Sequence, residues 1–207
     1  MNHKFGLISA LTALVCTLLF LIGLITINDG LNYWSCLVLS WAYIGTACAF
    51  AQEAPADRKG VAGAGIAIAA VYSLLTNLVY YTQLTTVAQD AAGQEVLRVF
   101  RFQQGSWMFG LDLLGYGLMA LSTFLIGLAM IPEASGDKVL KWMLMLHGLF
   151  FPVCVVMPTL DVFPEGSGGN GGVYALMGWC IYFAPMMALA VWHFQTRLRK
   201  QSREFER

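Results

Sequence analysis

The chain has 207 residues, 58% of them hydrophobic and only 12% charged, with a formal net charge of zero and a mean hydropathy of +0.65. Soluble domains carry about 25% charged residues, and nucleic-acid binders usually show a basic footprint, so both classes are set aside. Apolar runs of the ~20 residues that cross a bilayer recur along the chain, which predicts an integral membrane protein.

Residues 7–27 form the first predicted span. The run exceeds the ~7–15 residues of a signal-peptide core and lacks a small-residue cleavage site, so it reads as an uncleaved helix. Asn28, Asp29 and Gly30 follow as a tight turn, because Asn and Gly tolerate left-handed backbone. The second span covers 31–51 and ends before QEAPADRKG, a loop punctuated by Pro55 and Gly60. Span three, 61–83, begins with small residues, where Gly65 and Ala69 would let a neighbouring helix approach closely. Its second half, SLLTNLVYYTQ, is more polar.

Residues 84–106 make the longest connection, in which QEVLRVFRF mixes arginine with apolar residues and suits a short element at a lipid–water boundary. The fourth span is 107–131 and the fifth 139–160, with Pro152 and Pro158 expected to kink it. DVFPEGSGGNGG lacks the Lys-Ser/Thr ending of a phosphate loop and reads as a flexible linker. The sixth span, 173–194, contains Pro185, and 195–207 is a basic tail. The expected architecture is all-α and polytopic: one transmembrane domain over 1–207, with six helices in a single bundle.

Ten of the 12 Lys and Arg residues fall on one side of these spans, leaving Arg98 and Arg101 on the other. By the positive-inside rule both termini are cytoplasmic, and the 84–106 and 161–172 loops face outward. Tyr33, Trp34, Trp107 and Tyr174 would mark the outer interface, Trp142 and Trp192 the inner one. The YYTQ and DLLGYG stretches resemble those of six-helix bacterial membrane proteins. That resemblance implies a multi-pass protein of the bacterial inner membrane and no particular activity.

Asp112 is the only formally charged side chain well inside a span, and such a group is costly enough to suggest a site. It lies roughly 8 Å below the outer end of span four, and Asn77 roughly 9 Å below that of span three. Tyr116 is four residues from Asp112 and Tyr81 four from Asn77, so each pair shares a helix face. Tyr174 and Tyr182 descend span six from the same side. These groups predict an outward-opening polar pocket between spans three to six. An Asn77–Asp112 hydrogen bond serving only assembly is the competing expectation. His147, near mid-membrane on span five, is read as a core histidine or as a proton relay with Asp112. His193, beside Trp192, reads as an interfacial residue.

No cofactor is implied, and three scattered histidines make neither a metal nor a haem site. The five cysteines sit in apolar runs and read as buried hydrophobes rather than a disulfide framework. Methionines in spans five and six read as gap-fillers rather than a soft-metal path. Three functions compete. The first is binding or transport of a small solute, ion or lipid at Asp112. The second is a non-catalytic subunit or sensor, whose polar residues hold the bundle, an oligomer or a partner membrane protein. The third is an intramembrane enzyme using Asp112 or His147. The bilayer is the one partner common to all three, and nucleic acid to none.

Overall fold

The computed structural model describes residues 1–90, 92–162, 164 and 171–205. Among these there are only helices, and six helical segments are long and apolar enough to cross a membrane. Most of the glycine-rich linker lies outside the described residues.

Helix α1 (Asn2–Thr26) ends where Ile27 turns left-handed (φ 53°), with the Asn28 N–H donating to the Gly23 carbonyl at 2.9 Å. Asn28 then caps α2 (Asp29–Glu53), its Oδ1 accepting from the Leu31 N–H at 3.0 Å. The turn is thus tighter than the Asn-Asp-Gly reading, because Asp29 and Gly30 already belong to α2. Asparagine serves here through its side-chain acceptor, not through αL tolerance. After Pro55 and one 3₁₀ turn comes α3 (Lys59–Thr82), which relaxes into a π-helical turn over Gln83–Val87.

The long connection contains a short helix, α4 (Gln94–Phe100). The Gln83 side chain holds its far end, donating to the Phe100 carbonyl at 2.7 Å and accepting from the Phe102 N–H at 2.9 Å. Ser106 caps α5 (Trp107–Ala129), which runs unbroken. The fifth segment is divided into α6 (Ser135–His147) and α7 (Phe150–Thr159). Pro152 accounts for the break, since its ring cannot tolerate a helical carbonyl four residues back, at Gly148. That carbonyl instead accepts a tight bond from Phe151 at 3.1 Å. Helix α8 (Gly171–Phe205) continues past the last apolar turn, so the described part of the basic tail is helical.

Packing arranges the segments as a ring. Helix α1 contacts α8 and α2, α2 contacts α3, α3 contacts α5, and α5 contacts both α6 and α7. Gly65 sits against Ile126 and Ser122 of α5, and the Ser122 hydroxyl donates to its carbonyl at 2.7 Å. Tyr43 of α2 reaches the same hydroxyl at 2.8 Å, so one buried serine joins three helices. The ring closes through α6 and α8 at the end that carries both termini. At the opposite end α7 lies on α5 but not extensively on α8. A wedge is left there, with α5 as its floor.

Candidate functional site

Asp112 stands on that floor. It occupies the second turn of α5, is 1% exposed, and its Oδ1 has no hydrogen-bond partner. Tyr80 of α3, also buried, lies close to the same carboxyl. Asp112 lines a cavity of about 400 Å³ between α5, α7 and α8. Phe109, Leu113 and Tyr116 complete the α5 wall; Phe150, Val153, Cys154 and Met157 form the α7 wall. Ala175, Leu176, Gly178, Trp179 and Tyr182 supply the α8 wall. No lysine or arginine is among these lining residues. The volume is that of a small-molecule site, with apolar and aromatic walls and few polar groups.

Of the residues singled out in the sequence, the cavity therefore brings together Asp112, Tyr116 and Tyr182. Asn77 lies elsewhere: its amide donates to Ser40 Oγ at 3.0 Å and to the Ser73 carbonyl at 2.6 Å, tying α3 to α2. Tyr81 and Tyr174 are 62% and 66% exposed on the outside of the bundle. His147 is fully buried behind the aromatic wall. Its Nε2 accepts from the Trp179 indole N–H at 2.9 Å, and its Nδ1 lies 2.7 Å from the Thr123 hydroxyl. An indole can only donate, so Nδ1 carries the proton and the ring is neutral. Tyr182 stacks on that ring at 5.8 Å and donates to the Met143 carbonyl at 2.7 Å. His147 thus fixes Trp179 and Tyr182 where the cavity needs them. Replacing His147 by Phe leaves the buried indole N–H unbonded, so about 1–3 kcal/mol of stability should be lost. Chemical unfolding of the variant measures this, and a change in Trp179 emission should accompany it.

Residues not selected from the sequence complete the site. Tyr80, rather than its neighbour Tyr81, is buried close to Asp112. Cys36 lies 3.4 Å from the Tyr116 hydroxyl, and the Tyr116 and Trp179 rings meet edge to face at 4.9 Å. The apolar spacing of Ala175, Trp179 and Tyr182, three and four residues apart, was the available signal for the α8 wall.

A second polar cluster closes the ring at the termini end. His193 of α8 is 1% exposed, with Nδ1 2.7 Å from Asp137 Oδ1 and Nε2 2.9 Å from Glu53 Oε2. Glu53 also meets His3 of α1 at 3.0 Å, and Asp137 Oδ2 accepts from the N–H groups of Glu133 and Ala134. Four helices are joined through two carboxylates and two imidazoles. Arg197 and Glu133 form an ion pair at the rim, and that bonded guanidinium holds the Glu133 carboxyl below its usual range. Every polar atom here that bonds does so within the cluster, which gives it the character of a clasp. Among the described residues no group of His, Cys, Asp and Glu could hold a metal ion.

The chain matches no family model, no curated protein and no solved structure, so the functional reading rests on this geometry.

Proposed function

We propose that this is a multi-pass membrane protein that binds a small solute or ion through Asp112. The observation that carries the reading is a buried carboxyl, Asp112, that lines a cavity of about 400 Å³ and has an oxygen without a partner. A buried polar atom without a partner costs roughly 1–3 kcal/mol in folded proteins. Asn77 and His147 are bonded within the protein, whereas Asn32 Oδ1 and the Tyr72 and Thr76 hydroxyls are, like Asp112 Oδ1, buried without a partner. Of these four residues only Asp112 lines the cavity, which makes its carboxyl the group a ligand there would meet. Six apolar helical segments support the membrane setting. The distribution of Lys and Arg supports cytoplasmic termini, which puts the cavity in the outer half of the bilayer.

The test is equilibrium binding of a series of inorganic and organic cations to the protein in lipid nanodiscs. Asp112→Asn should lose at least ten-fold in affinity for any ligand found. Asn77→Ala, which lies outside the cavity, should bind as the unaltered protein does. Equal affinity in Asp112→Asn would remove the carboxyl from the site.

A further inference from the structure

The cavity reaches the side of the bundle between α7 and α8. Trp107 and Tyr174 are large, exposed aromatics at the starts of α5 and α8, the level at which such rings meet a headgroup layer. Gly178 lies four residues below Tyr174, about 6 Å deeper along α8. It is exposed, and a Cβ added there would meet nothing within 4 Å. Val153, on the facing wall of α7, is 47% exposed. Both residues line the cavity, and α7 and α8 make no extensive contact between them. The mouth is therefore at hydrocarbon depth, between two helices that do not close on each other.

What would pass such a mouth must first dissolve in the bilayer, and what would stay must complete Asp112. The walls offer the faces and edges of Phe109, Tyr116, Phe150, Trp179 and Tyr182, and no cationic side chain. Aromatic rings attract a cation held near their faces, and a carboxyl oxygen lacking a partner attracts one more strongly. Building on the solute-binding reading above, we infer that the ligand is a lipophilic amine, which enters sideways between α7 and α8. Its protonated nitrogen lies at Asp112, and its hydrocarbon body fills the space between Val153, Met157 and Ala175. The opening at Gly178 is kept clear by the absence of a side chain.

The inference is tested with a dimethylalkylamine carrying a diazirine in its tail, added to the protein in phosphatidylcholine nanodiscs and photolysed. Adducts are mapped by mass spectrometry. They should concentrate on the peptides holding Val153, Met157 and Gly178, and an excess of dimethyloctylamine should suppress them at least ten-fold. Asp112→Asn and Gly178→Trp should each reduce them to a similar degree, with far-UV circular dichroism showing the helices intact. Suppression by 2-methyldecane, the uncharged isostere, equal to that by the amine would overturn the cationic class. Equal suppression by tetramethylammonium, or full labelling of Gly178→Trp, would overturn lateral access while leaving Asp112 as the site. Adducts spread evenly over all lipid-facing helices, and indifferent to Asp112→Asn, would overturn both readings.

Discussion

Replacing His193 by phenylalanine is expected to destabilise the folded protein by about 3–5 kcal/mol, the cost of breaking a buried charged pair from one side. Packing should not obscure the effect, since His193 already sits 5.3 Å from the ring of Phe50 and 5.1 Å from that of Phe194. Asp137 would keep its two backbone donors, whereas its Oδ1 would face an apolar ring. Glu53 retains His3 and some solvent, which places the loss at the lower end of that range. His193→Gln can still donate one bond and should fall between the two. Reversible unfolding in mixed detergent measures all three proteins. A loss below about 1 kcal/mol for phenylalanine would mean that α6 and α8 are held by something other than this clasp.

The second large effect runs the other way for stability. Asp112→Leu should abolish ligand binding and raise the unfolding free energy by about 1–2 kcal/mol, because a carboxyl with an unmet bond is replaced by hydrocarbon. The gain is limited by Tyr80, which would lose a nearby polar group. A residue serving assembly predicts the opposite sign, as removal of a satisfied polar group from a helix interface weakens it. Denaturant titration of unliganded protein separates the two. A stabilised but non-binding variant supports the site. A destabilised one assigns Asp112 to the bundle.

The helical segments were legible because each carries an apolar run long enough to cross a bilayer, and Asp112 stood out as a charge within such a run. Finer placement failed where a single residue changes the helix face. Tyr81 was paired with Asn77 by a spacing of four, but successive helical residues point about 100° apart, and it is Tyr80 that turns inward. The clasp was missed because the apolar runs stop short of the helices. Glu53 and Asp137 fall outside predicted spans 31–51 and 139–160, yet both lie inside helices that bring them to His193. The sequence predicts kinks at Pro152 and Pro158, whereas the segment breaks after His147, where the carbonyl four residues before Pro152 would meet its ring. No local pattern in the sequence reports that α7 and α8 stay apart, and the cavity exists only because they do.

On the proposed reading, the Asp112 carboxyl is reserved for a ligand. Electron cryomicroscopy of the protein with a bound antibody fragment, in nanodiscs formed from native membrane, tests it most directly. Non-protein density should lie within hydrogen-bonding distance of the Asp112 carboxyl and extend between Trp179 and Val153. A map in which α7 has closed onto α8, with both Asp112 oxygens bonded to protein, would contradict it.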